Sequence, residues 1–360
     1  MKWRILVLLA LLGVGAIAPA ANASDQIIEA QGRVEIKRSN ASGYQSAAVG
    51  TQINIGDLIR PVRGAQVVVQ CANQNLWSVP AGIASGLGAG CPASVSSPVR
   101  GLGARGESDF LAFLNGDFVY ATQVLNRYPL LQWEPVPNAR QYQIQIKQGG
   151  TVVWQIERSA AENPVVRYEG EGLQAGILYQ LVVTAVGFQG AERSTVLAFQ
   201  LMNDSKLEAL EATIVQIESQ ELSAEGKAIA LASAYRSATQ INEDGAAVPG
   251  LLWEAIAALE PLVPVSETAY THQMLGDALL QVGLLDKAEM SYRRAISLSQ
   301  GGQNREIWTA AQVGLANVAA ARGDRTAARE SLLGAKVGYL LLQEGDRADL
   351  MSEWLSKLNL

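Results

Sequence analysis

The chain is poor in the residues that usually carry chemistry. Its 360 residues include one histidine and two cysteines, too few for a multi-histidine metal centre or a thiolate cluster. Gly-x-Ser-x-Gly, His-Glu-x-x-His and a phosphate loop are all absent from the sequence. Charge is scarce as well, at 17% of residues with a formal net charge of −6, against roughly 25% charged residues in an ordinary soluble domain. Nucleic acid is therefore not an expected partner. After the N-terminal segment no apolar run approaches the ~20 residues that span a bilayer. Small and amide residues fill the gap, and they suit sheets and close helix packing.

Met1 to Ala23 has the form of an export signal. Lys2 and Arg4 precede an apolar run from Ile5 to Ala18, and Ala21-Asn22-Ala23 supplies a small-residue site, so cleavage is expected after Ala23. Loss of Lys2 and Arg4 takes the formal charge from −6 to −8. The expected location is periplasmic or secreted, with no transmembrane span after cleavage. In such a compartment the two cysteines, Cys71 and Cys91, are expected to form a disulfide, because C-x-x-C spacing is missing and no histidine lies nearby.

Three periodicities follow one another. Short alternating runs between Ile27 and Val99, such as Gly32-Arg33-Val34-Glu35-Ile36 and Gln66-Val67-Val68-Val69-Gln70, predict a small β domain over 27–99. Four elements there resemble the extracytoplasmic FecR domain: Gly32-x-Val34, Gly56-Asp57-x-Ile59, Ala65-x-Val67-x-Val69 and Leu76-x-x-Val79-Pro80-x-Gly82. The resemblance implies sensing or binding at the envelope. The cytoplasmic helical domain and membrane span of a complete FecR regulator have no counterpart, which argues against direct transcriptional signalling. Asp57 is read as a turn residue. A Gly-rich linker is expected over 100–117, and its Gly101-x-Gly103-x-x-Gly106 lacks the βαβ setting of a dinucleotide site.

Longer alternating runs over 118–202 predict a sandwich. Pro129-x-x-x-Trp133, Tyr142 after Pro137-Asn138-Ala139, and Leu173-x-x-Gly176-x-x-Tyr179 make it similar to a fibronectin type III-like domain, which implies a tyrosine corner at Tyr179. Trp133, Trp154, Tyr142 and Tyr168 are either sandwich core or a sugar-stacking platform, and the spacing of Trp133 and Tyr142 favours core.

From Asp204 to Leu360 the period becomes helical. Leu275, Gly276, Leu279, Gly283, Ala288, Tyr292 and Ala295 recur forty positions on as Leu315, Ala316, Ala319, Gly323, Ala328, Leu332 and Ala335. Such hairpins must stack to bury their apolar faces, and they resemble tetratricopeptide (TPR) repeats. A looser hairpin carries Leu231, Ala232 and Tyr235, then Ala255, Leu259 and Leu262; Leu350, Trp354 and Leu358 mark a capping helix. The predicted fold is thus multidomain: an all-β N-terminal half, then an all-α TPR-like helical repeat domain over 204–360.

The resemblance implies a groove lined by first helices, with Tyr270, Gln273, Asp277, Gln281, Val313 and Asn317 facing a protein or peptide partner. Gln273 and Asp277 offer no positive charge, so the expected ligand is neutral or basic. His272 near Asp277 has no serine or cysteine partner and is expected to pack, not to catalyse. No catalytic residue, metal or cofactor is expected. The expected role is a non-enzymatic envelope scaffold. The alternatives are a cell-wall or glycan binder using the β domains, or a sensor acting with a separate membrane partner.

Overall fold

The computed structural model describes residues 25–91, 110, 114–115, 120–187, 192–241, 247–299 and 304–358. The expected signal segment and the Gly101-x-Gly103-x-x-Gly106 motif lie outside them. Residues 26–201 are β-rich and residues 204–357 helical. No helix among the described residues is long and apolar enough to cross a membrane.

The N-terminal unit contains two three-stranded antiparallel sheets. β1 (Gln26–Gln31), β5 (Gln66–Gln70) and β6 (Leu76–Ser78) form one in the order β1-β5-β6; β2 (Val34–Lys37), β3 (Gln45–Ala47) and β4 (Leu58–Pro61) form the other in the order β3-β2-β4. Ile27, Val34, Ile36, Ile59, Val67, Val69 and Trp77 fill a core of its own, closed by the Cys71–Cys91 disulfide. A register shift in β1 between Ile27 and Glu29 decides how this unit docks. Ile27 enters the unit's core, while its neighbour Ile28 joins the larger core of the rest of the molecule.

The second unit is a sandwich. β7 (Tyr120–Val124), β9 (Ala139–Gln148), β10 (Thr151–Ser159), β12 (Leu178–Gly187) and β13 (Glu192–Leu201) form a sheet in the order β10-β9-β12-β13-β7. Only the β13–β7 pair is parallel in that sheet. β8 (Leu130–Gln132) and β11 (Val165–Arg167) make a two-stranded sheet. Alternate residues of β9 and β12 are buried, including Tyr142, Ile144 and Ile146 on one and Tyr179, Leu181 and Val183 on the other. The Tyr179 ring is buried and its hydroxyl accepts from the Gln174 N–H at 3.2 Å, the geometry of a tyrosine corner. Trp133, Tyr142 and Tyr168 are likewise buried, so these three rings offer no stacking face for a sugar, while the half-buried Trp154 packs edge-on to Tyr168.

Helices α1 (Asp204–Glu218), α2 (Ala224–Ser237), α3 (Leu252–Leu259), α4 (Ala269–Gln281), α5 (Leu285–Leu298), α6 (Arg305–Ala321), α7 (Arg325–Leu341) and α8 (Gly345–Lys357) follow. A small ribbon of β14 (Gln240–Ile241) and β15 (Ala247–Val248) lies between α2 and α3. α4/α5 and α6/α7 are the hairpins expected from the forty-residue recurrence. Their turns are alike: Gly283 and Gly323 adopt positive φ, and Leu284 N–H bonds to Leu279 C=O as Asp324 N–H does to Ala319 C=O, both at 2.9 Å. Ala288, Ala295, Ala328 and Ala335 are fully buried at the seams.

The change from strand to helix at Asn203 is not a boundary between cores. Trp133, Leu181 and Phe199 of the sandwich belong to the same apolar cluster as Leu279, Ala316 and Trp354 of the helices. β7 helps join them: Thr122 accepts from Leu252 N–H at the start of α3 and donates to Gly250 C=O, both at 3.1 Å. Within the expected linker, Phe110 is fully buried and stacks on Trp354 at 4.7 Å, so that part of the segment is anchored.

Candidate functional site

The N-terminal β unit lies against the first helices of the hairpins. The expectation of an open groove at Tyr270 is therefore corrected. Gly50 (φ +89°) sits over the Tyr270 ring so closely that an added Cβ would come 2.5 Å from it. The Tyr270 hydroxyl donates to Gln26 Oε1 at 2.6 Å, and Gln70 Nε2 donates to Ala230 C=O of α2 at 3.1 Å. Glu29 accepts from Ser223 N–H at 2.9 Å at the start of α2. Apolar contacts accompany these polar ones: Ile28 belongs to the larger core, and Val49, Val68 and Leu76 pack against it.

A cleft of about 520 Å³ remains between the two walls. The β unit contributes Gln26, Arg38, Asn40, Gln45, Gln52 and Asn54; α2, α4, α6 and the α7–α8 region contribute Arg236, Gln273, Asp277, Arg305, Glu306 and Arg347, among others. Asp277 is the hub of the helical wall. It accepts from Tyr292 at 2.9 Å, from Gln273 Nε2 at 2.6 Å and from Arg236 Nη2 at 3.3 Å. Burial pushes its carboxyl above the ordinary value, against the pull of Arg236 and the two neutral donors.

Arg38 ties the walls together. Its guanidinium donates to Asp57 at 2.8 Å and pairs with Glu306 of α6, whose other carboxylate oxygen accepts from Gln52 N–H at 3.3 Å. Burial raises the Glu306 carboxyl, with Arg38 acting in the opposite sense. Asp57 also accepts from Ser39 N–H and Asn54 N–H, both at 2.9 Å, so it holds its turn and orients Arg38. Arg347 pairs with Glu344 at 2.9 Å and lies over the Tyr339 ring.

Of the six residues expected to face a partner, Tyr270, Gln273 and Asp277 line this cleft. Tyr270 and Gln273 are nevertheless buried, at 7% and 8% exposure, beneath the β unit. Gln281, Val313 and Asn317 are not among its lining residues; Val313 packs on the main core. His272 is buried and donates through Nε2 to Ser266 C=O at 3.2 Å, which is a packing position. Burial lowers its affinity for a proton. The expectation that the site lacks positive charge also needs correcting, since Arg38, Arg236, Arg305 and Arg347 all line it. Reading α4 alone missed them. Arg305 and Glu306 begin the first helix of the second hairpin, and that position was the available signal.

Among the described residues, the one grouping of potential metal ligands is Asp25, Cys71 and Cys91. Both sulfurs are used in the disulfide.

No family model matches the sequence, and no curated protein matches it. Among solved structures, the crystal structure of MamA is 17% identical, aligned over 44% of this chain and 93% of that one with a TM-score of 0.28. The crystal structure of β-1,2-glucanase from Parabacteroides distasonis is 13% identical over 84% of this chain and 48% of that one, with a TM-score of 0.20. At these scores neither similarity bears on function.

Proposed function

We propose that this protein is a non-enzymatic interaction protein of the bacterial envelope that takes a segment of a protein or peptide partner between its β unit and its helical hairpins. The cleft is the observation that carries this reading. Its volume falls within the ~300–1,000 Å³ of ordinary ligand sites, and amides line both walls. Gln45, Gln52, Asn54 and Gln273 combine donors and acceptors suited to a peptide backbone. The disulfide fits an oxidising compartment. Trp133, Tyr142 and Tyr168 are buried, which removes three of the four rings that the glycan alternative would use.

The test is binding of short labelled peptides to the purified protein and to Asn40→Trp, followed by fluorescence anisotropy. Asn40 is exposed on the cleft wall, so an indole there should fill space without disturbing either core. Loss of binding in the variant, with an unchanged melting curve, is the expected result. Equal binding by both proteins would refute the cleft as the site.

A further inference from the structure

We infer that the captured segment is acidic, its carboxylates received by Arg305 and Arg236. This deepens the peptide-binding reading and rests on it. Arg38 is engaged by Asp57, Glu306 and the Gln52 carbonyl, and Arg347 by Glu344. Arg236 lines the cleft and meets Asp277 through Nη2, its one side-chain hydrogen bond among the described residues. Arg305 is exposed, and its guanidinium has no partner among the described residues. The four wall carboxylates, by contrast, are each paired: Asp277 accepts three donors, Glu306 takes Arg38 and the Gln52 N–H, Asp57 takes Arg38 and the Ser39 and Asn54 N–H groups, and Glu344 takes Arg347.

A cationic ligand would thus have to displace a guanidinium, whereas an anionic one first meets the Arg305 guanidinium, unpartnered among the described residues, with Arg236 also on the cleft wall. The helix end acts in the same direction. Arg305 opens α6, and Asn304 before it makes no side-chain cap, so the positive end of the helix dipole adds to the guanidinium charge. Gln45, Gln52 and Asn54 across the cleft can hold the backbone between the acidic side chains.

The test compares three labelled peptides of one length against the full protein: one rich in Asp and Glu, its Asn and Gln counterpart, and one rich in Lys. The acidic peptide should bind tightest and weaken as salt rises. Arg305→Gln, at an exposed position, should keep the parent melting curve and lower acidic-peptide affinity about threefold to fivefold. Equal binding of the amide counterpart, or an unaffected Arg305→Gln variant, would overturn the acidic assignment while leaving peptide capture intact. Failure of all three peptides to bind, or binding that Asn40→Trp does not touch, would overturn peptide capture itself.

Discussion

Tyr292 shows how much one side chain can demand of its neighbours. Its ring lies fully buried between α4 and α6, and its hydroxyl holds Asp277 from below. A Cβ added at Gly276 would come 2.8 Å from the ring, and one added at Gly314 would overlap it outright. Gly314→Ala should therefore cost about 2 kcal/mol through overpacking. Thermal melts of Gly314→Ala with and without Tyr292→Leu form the check, because the smaller residue should remove most of the penalty of the alanine. Gly276 was legible in the sequence, since its small-residue spacing is internal to one hairpin. Gly314 was not: its constraint comes from the preceding hairpin, and no spacing within its own helix records that.

Helix ends are where the β units and the helices recognise each other. Glu29 caps α2 through Ser223, and Glu134 of the sandwich accepts from Leu285 N–H at 3.1 Å and from Asp286 N–H at the start of α5. Each places a carboxylate at the positive end of a helix that belongs to another unit. Glu134→Ala should lower stability by about 1 kcal/mol, read as a shift in the denaturant midpoint; an unchanged midpoint would show the cap to be energetically idle. Glu254 of α3 gives the opposite case. Burial pushes its carboxyl up to about 7, and Oε2 has no partner among the described residues. Between the ordinary value of 4.5 and that value the folded protein holds a proton the unfolded chain has released, so stability falls as pH rises through this window. The loss amounts to at most about 3 kcal/mol. Melts at about pH 5 and about pH 8 should diverge less for Glu254→Gln than for the parent, and equal divergence would assign the pH dependence elsewhere. Periodicity made the helices and strands legible, but it carries no information on pairs such as Glu134 and α5. The same limit hid the cleft, whose arginines come from the β unit, α2, α6 and the α7–α8 region.

At the scale of the whole molecule the described residues form two apolar cores, and the disulfide belongs to only one. The N-terminal core contains both Cys71 and Cys91, while the sandwich and helices share the other. Calorimetry should accordingly resolve two transitions, and a reductant should lower one of them. Opening a bridge between residues separated by 20 positions costs about 3 kcal/mol in the chain-entropy model. Helical circular dichroism at moderate temperature should be unaffected; a concerted loss of both transitions on reduction would mean that the docking surface, where Ile28 enters the larger core, couples the two units into one cooperative whole. The division into β-rich and helical halves was readable because the hydrophobic period changes at Asn203. That the sandwich and helices share a core was not, because an apolar residue on a strand looks the same whichever layer it meets.

The stack of Phe110 on Trp354 brings together a residue from between the two β units and one from α8. A chain made from its N-terminus therefore cannot bury Phe110 in its final place until Trp354 has been synthesised. Both β units must wait with that aromatic uncovered, and α8 acts as the latch that ends the wait.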